Sequence, residues 1–476
     1  MRWFLFFAIF AIFLSETAHA NAPINLGSPS AILVEQTTGR VLYARNERER
    51  RYPASMTKML TALVVLDVLE PDYVIVVGSE IQGMPAGFAT NVHFEGETIT
   101  VRMLLKSMLI RSSNETGRTL ALNVIRHKQD RRNVPWDEAN NAFSALLNER
   151  ARELGARGTH FNNSFGFHNE NHFTTAYDMA LITRAFMDNP YLAEMVGLRT
   201  FTGNSLFGVH HPSPFTREYS WVNTNLLLPG APHGHPYIIG AKTGFTNAAG
   251  HCLAGAAYNN GLQLATVVMG GTDAMRWQDT RHLMDYGFFN FRFREIAHVG
   301  EILDEVRIEN PRLGDSETLS VVLGEPRAEA LRYGEAFLAL LSHAEYAVVT
   351  KTIMFDPLLH VATESGIPYG SEKSTLRAPI EEGAVVGTVL FSADGMVLLD
   401  APILAARAVY ERNFDSDMDY YLATFFGNVF TRRALPYYFG IFGTAFGIFG
   451  LVSAVKANYR AGRNISKGYE RHRRRY

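Results

Sequence analysis

Residues 53–69 are apolar on nearly every side, and a helix without a polar face has to run through a core and not along its surface. Met59, Leu60, Leu63, Val64, Val65 and Leu66 spread around its circumference, and Pro53 suits the first turn. The flanking pattern suggests what surrounds it. Residues 30–45 alternate in strand fashion about a Thr38-Gly39 turn, which predicts a hairpin. Helical patterns follow from 101 to about 156 and from 174 to 188. Between 238 and 269 the chain returns to strand-like runs broken by glycines, and a last helix near 279–289 closes what reads as an α+β domain. From about 297 to 408, short β runs separated by turns such as Glu382-Gly383 and Asp394-Gly395 predict a smaller, mostly β domain.

Both ends of the 476-residue chain read as membrane signals. Arg2, the apolar run from Trp3 to Leu14 and Ala18-His19-Ala20 have the form of a secretory signal peptide over 1–20, cleaved after Ala20. Residues 434–455 carry no charge and are long enough to span a bilayer. A basic tail follows at once, with eight Lys or Arg against one acid over 456–476. Positive charge beside a span marks its cytoplasmic side, so the body is expected outside the inner membrane and the tail inside. The expected order is a catalytic domain over 21–292, a β-rich domain over 293–408 and an interfacial segment over 409–433, ahead of the span and tail. Residues 1–455 hold 37 basic and 46 acidic side chains, and an acidic body argues against nucleic acid as partner. The single cysteine, Cys252, lies in an apolar run and reads as a core residue without a disulfide.

Three short motifs occur in one order: Ser55-Met56-Thr57-Lys58, Ser112-Ser113-Asn114 and Lys242-Thr243-Gly244. Each alone is common; their conjunction is not. Ser55 at a helix start has a free backbone N–H, and the dipole there favours negative charge. Lys58, three residues on, shares its face and can take the hydroxyl proton that keeps serine a feeble nucleophile. To act as a base Lys58 has to be neutral part of the time, and burial together with a second cation, Lys242, lowers its pKa. Ser112 and Asn114, on an interhelical loop, would relay protons and hold the substrate amide. The third motif is expected on an inner strand lining the cleft edge, where an extended peptide can add as one more strand. Thr243 would bind the substrate carboxylate, and Gly244 lets the backbone approach. Two N–H donors for an oxyanion are assigned to Ser55 and Phe245.

These motifs resemble those of the penicillin-recognising serine enzymes. Glu35, Thr38-Gly39, Leu42-Tyr43 and Asn46, then Thr159-His160-Phe161-Asn162-Asn163 with Gly166, Thr174-Thr175-Ala176-Tyr177-Asp178-Met179 and Asn223-Thr224-Asn225 narrow the resemblance. They match the low-molecular-mass penicillin-binding proteins, the D-alanyl-D-alanine carboxypeptidases. Leu376-Arg377-Ala378-Pro379-Ile380 extends the match into the β half, so it spans roughly 28–408. The resemblance implies an α+β, β-lactamase-like transpeptidase domain followed by a small mostly-β, stalk-like domain, here with a C-terminal transmembrane helix. It also implies a serine enzyme that trims the terminal D-alanine of peptidoglycan stem peptides and is acylated by β-lactam antibiotics. By the same resemblance, Arg276 helps bind the substrate's terminal carboxylate. Two positions depart from the usual pattern: Ser113, where glycine or alanine is more common, and Phe245, which replaces a histidine.

Competing readings weaken on inspection. A class A β-lactamase would carry E-x-x-L-N between Asn114 and Lys242, and none is present. A related esterase carries similarly little weight, and a non-catalytic wall-binding protein should have lost one of the motif residues. Endopeptidase or transpeptidase activity stays open, since it shares the acyl-enzyme step. His168, His211, His233 and His235 belong to no H-x-x-x-H on a helix and have no paired thiol beside them, so they read as surface and loop histidines and neither a metal nor another cofactor is expected.

Overall fold

The computed structural model describes residues 24–82, 84, 93–205, 217–326, 329–359 and 375–429, with isolated positions 452, 453 and 456. The expected signal peptide and nearly all of the expected span and basic tail lie outside the described residues. Among those that are described, no helix is long and apolar enough to cross a membrane. Two compact units form: one runs to Arg294 and includes Leu340–Tyr346, and the other holds Glu295–Ala339 and the chain from Ala347 onward. A boundary drawn at 292 in the sequence does not anticipate that seven residues return to the first unit.

In the first unit β1 (Ser30–Glu35) and β2 (Val41–Arg45) form the expected hairpin. The Glu35 carboxylate accepts from Thr37 N at 3.0 Å, Thr38 N at 2.7 Å and Thr38 Oγ1 at 2.7 Å, so a buried acid organises the turn. Two short strand pairs sit at the periphery: β3 (Val74–Val76) with β4 (Thr98–Thr100), and β5 (Thr200–Asn204) with β6 (Glu218–Val222). Strands β7 (Ile238–Thr246), β8 (Gly250–Asn259) and β9 (Leu262–Gly271) complete an antiparallel sheet of order β2-β1-β9-β8-β7. The third motif therefore lies on an outermost strand and not an inner one, with one side unpaired within the sheet.

Strand alternation divides the core in two. Ile32, Val34, Ala265 and Val267 face one apolar cluster, while Leu33, Leu264 and Val268 face another against the final helix, Asp273–Asn290. The first cluster holds the central helix. Ala54–Met56 form a 3-10 turn that leads into α1 (Thr57–Leu66), shorter than the span of its apolar pattern. Thr57 through Val65 are all buried, as an all-round apolar helix requires, and Lys58 is among them. Around α1 pack α2 (Val101–Ile110), α3 (Asn114–Gln129), α4 (Trp136–Glu153) and α5 (Ala176–Asp188). Truncating a leucine to alanine in such surroundings typically costs about 2–5 kcal/mol.

The second unit is mostly β. Among its described residues a six-stranded sheet runs in the order Thr350–Phe355, Val385–Ala393, Met396–Ala405, Thr318–Leu323, Ile302–Glu309, Thr375–Arg377. Its own core includes Leu319, Val321, Val386, Val389, Ala401 and Ile403. The helix Phe414–Val429 has Asp415 and Asp417 in its first turn and exposes Phe414, Tyr421 and Phe425 along its length.

Candidate active site

The side chains of the three motifs meet where three backbone features converge. Ser55 sits in the 3-10 turn ahead of α1, just after Ala54, whose φ of 49° lies in the left-handed region. Ser112 occupies the bend between α2 and α3 with a φ of 63°. Such conformations cost non-glycine residues about 1–3 kcal/mol each and persist only where the surroundings enforce them. Here they stand beside and at the two serines of the first and second motifs. The third motif lies on β7, where Gly244 allows the strand to pass close to the nucleophile turn. A Cβ there would lie 2.8 Å from Pro53 O.

Three oxygens surround the Lys58 amine. Its Nζ lies 2.7 Å from Asn114 Oδ1, 2.6 Å from Phe165 O and 2.8 Å from Ser55 Oγ. The first two atoms can only accept. An ammonium would donate to all three oxygens, whereas a neutral amine would serve the two carbonyl oxygens with its N–H bonds and turn its lone pair to the Ser55 O–H. Burial lowers the Lys58 pKa well below its ordinary value, the Lys242 cation lowers it further, and Glu115 opposes them. The electrostatics favour the neutral amine, and the geometry accommodates it.

Lys242 is also buried. Its Nζ reaches Ser112 Oγ at 2.9 Å and Thr243 O at 3.0 Å. Burial, then the Arg276 guanidinium, brings its pKa down to about 7. Thr243 Oγ1 shares a 2.8 Å hydrogen bond with Thr224 Oγ1. Arg276 is paired with Asp273 and lies over the Trp277 ring at 4.4 Å, which holds its guanidinium in place. A cleft of about 780 Å³ opens on Ser55, Ser112, Asn114, Thr243, Gly244, Phe245 and Arg276. All the sequence-derived site residues except the two buried lysines line it, and those lysines lie beneath it. The half-exposed Phe245 ring packs on His251 with centroids 4.3 Å apart.

Several supporting residues carry no catalytic signature in the sequence. Asn163 Oδ1 accepts from the backbone N–H of Phe165, Gly166 and Phe167 at 3.3, 2.8 and 2.9 Å. That side chain folds the loop whose Phe165 carbonyl holds Lys58. Beneath the nucleophile, His172 Nδ1 accepts from Asn162 N–H at 3.1 Å, which leaves the proton on Nε2 to donate to Thr57 Oγ1 at 2.8 Å. Thr57 Oγ1 donates in turn to Ala54 O at 2.9 Å. Burial pushes His172 down to about 3, so the ring stays neutral and pins the strained residue before Ser55. The unusual Ser113 has work too. Its side chain caps α3 and lies 2.6 Å from Thr116 Oγ1, which is 3.0 Å from Ser107 Oγ. Ser107 meets His93 Nε2 at 2.9 Å, and His93 Nδ1 meets Glu97 at 3.0 Å. A buried chain of hydroxyls thus ties the second motif to an acid.

Comparison with known proteins is consistent with this geometry. A family profile described as D-alanyl-D-alanine carboxypeptidase matches residues 16–273. The chain is 26% identical over 404 residues to D-alanyl-D-alanine carboxypeptidase DacF of Bacillus subtilis, covering 84% of this chain and 88% of that one. It is 26% identical over 417 residues to DacA of Escherichia coli, with 85% and 89% covered. Among solved structures, the D-alanyl-D-alanine carboxypeptidase DacD from Francisella tularensis superposes with a TM-score of 0.56 at 22% identity, over 82% of this chain and 95% of that one. The Streptomyces K15 DD-transpeptidase gives 0.51 at 25% identity, over 56% and 99%.

Proposed function

The chain belongs to the D-alanyl-D-alanine carboxypeptidase family of serine peptidases, and on that premise we propose that Ser55 removes the terminal D-alanine from peptidoglycan stem peptides. The observation that carries the assignment of roles is the buried Lys58 amine, 2.8 Å from Ser55 Oγ and flanked by two carbonyl oxygens that can receive its N–H bonds. Ser55 Oγ attacks the carbonyl of the penultimate D-alanine as Lys58 takes its proton. The resulting oxyanion is held by the N–H groups of Ser55 and Phe245. Ser112, held by Lys242, hands a proton to the departing amine and is reprotonated with the proton that Lys58 took from Ser55; the peptide C–N bond breaks, D-alanine leaves, and Lys58 is neutral again. Water then hydrolyses the Ser55 ester, with Lys58 again as base. Thr243, Thr224 and Arg276 hold the terminal carboxylate, and Asn114 the amide on the acyl side. A β-lactam enters as the same substrate class and leaves a slowly hydrolysed ester on Ser55.

Incubation with a peptide ending in D-Ala-D-Ala should release D-alanine, and Ser55→Ala should release none. A folded wild-type protein that releases nothing, yet is acylated by penicillin, would move the assignment to an endopeptidase or transpeptidase acting on crosslinked wall.

The same reading places the enzyme outside the inner membrane. The leader over 1–20, the uncharged run 434–455 and the basic residues after it support a single pass with the tail in the cytoplasm. Exposed aromatics on Phe414–Val429 fit an approach to that interface. The full chain should fractionate with membranes, and a chain ending at 433 should not. Equal partition of both would remove the anchor.

A further inference from the structure

The cleft carries one more guanidinium than a terminal carboxylate requires. Arg276 is committed: it is paired with Asp273, rests on Trp277 and lies close enough to Lys242 to lower its pKa. Arg111 is different. It ends α2 immediately before Ser112, is exposed, and lines the cleft on the wall that carries Ser112 and Asn114. Its backbone N–H is bound to Ser107 O at 3.1 Å, which fixes where the side chain starts. Among the described residues its guanidinium has no hydrogen bond or ion pair, and no acidic side chain lines the cleft. A fixed positive charge facing a cleft without a counter-charge attracts an anion, and guanidinium geometry suits a carboxylate.

We propose that Arg111 is a second anion-binding point, specific for a carboxylate borne by the substrate upstream of the scissile D-Ala-D-Ala bond. The inference rests on the carboxypeptidase reading and deepens it. The terminal carboxylate is held on the β7 side by Thr243, Thr224 and Arg276, and a substrate with only that carboxylate leaves Arg111 unused. An acyl portion carrying a further carboxylate meets Arg111 on the other wall, so the cleft distinguishes acidic stem peptides from those whose acid is masked as an amide.

The test uses the full chain and two matched pairs of peptides ending in D-Ala-D-Ala. In one pair the third residue from the C terminus carries a free carboxylate or its carboxamide. In the other the variation lies on the fourth residue. Wild type should prefer the carboxylate member of one pair by about tenfold in kcat/KM, the size expected of one charge-assisted contact. The responding pair identifies which residue supplies the anion. Arg111→Ala should bring that ratio close to one, and Arg111→Lys should retain part of it. A wild type indifferent in both pairs would overturn the proposal. So would an Arg111→Ala variant that loses rate equally on both members with the ratio kept, because the arginine would then serve the terminal carboxylate or the loop itself. If no peptide releases D-alanine while penicillin still acylates Ser55, the carboxypeptidase reading fails first, an outcome distinct from loss of the ratio.

Discussion

Replacing Lys58 by arginine should slow acylation by penicillin roughly 10⁴-fold while leaving reversible binding in place, an effect of the size seen when a catalytic base is removed. The substitution keeps a cation but removes basicity, because a guanidinium does not lose its proton at any pH the fold tolerates and has no lone pair to offer Ser55. The proposed role of Lys58 needs a neutral amine, and its surroundings favour one. Burial is the largest cause, the Lys242 cation adds to it, and Glu115 limits the shift. The sign of the pH dependence follows. The wild-type acylation rate should rise with pH as the remaining protonated Lys58 loses its proton. Lys242, brought down to about 7, loses its charge around neutrality, and with it the cation beside Ser112. Arginine is larger than lysine and the site is fully buried, so melting temperature has to be compared alongside. A folded Lys58→Arg protein that acylates at the wild-type rate would remove Lys58 from the role of base.

The parts of this site legible in the sequence are those where side-chain chemistry is local. Ser55 and Lys58 are three residues apart on one helical turn, and their meeting needs no knowledge of the rest of the fold. The hairpin and the all-round apolar helix are likewise written in short periodicities. What stays hidden depends on distance along the chain. Phe165 contributes a carbonyl oxygen, which every residue has, and it reaches Lys58 across 107 positions. Asn163 was visible as part of a motif, but nothing local indicates that one side-chain oxygen gathers three successive N–H groups. His172 looks like any loop histidine until Thr57 and Ala54 are folded over it. The outermost place of β7 is a property of sheet order, and an apolar strand broken by glycines does not carry that information. Ser113 shows the converse. In the sequence it is only a departure from the common pattern, whereas the structure gives it a cap and a chain of hydroxyls that leads through His93 to Glu97.

Gly166→Ala should lower kcat by roughly 10²- to 10³-fold with a much smaller change in KM, the signature of a disturbed oxyanion site in a cleft that still binds. Two separate reasons require glycine. Its φ of 84° lies in the left-handed region, where a side chain is strained wherever it occurs. An added Cβ would also stand 1.9 Å from Ala54 O, 2.3 Å from Ala54 C and 2.9 Å from Ser55 N. The last of these is a proposed oxyanion donor, and the first is the carbonyl that Thr57 and His172 hold in place. Backbone at such distances has to move, and it moves the nucleophile with it. Gly261 separates the two causes. It has nearly the same φ, 81°, on the turn between β8 and β9, but nothing lies within 4 Å of an added Cβ. Gly261→Ala should cost about 1 kcal/mol of stability and leave D-alanine release intact. Gly166→Ala should cost more stability than that and lose turnover as well. Equal activity in the two variants would mean that the turn before Ser55 tolerates displacement, and that the strain at Ala54 contributes nothing to catalysis.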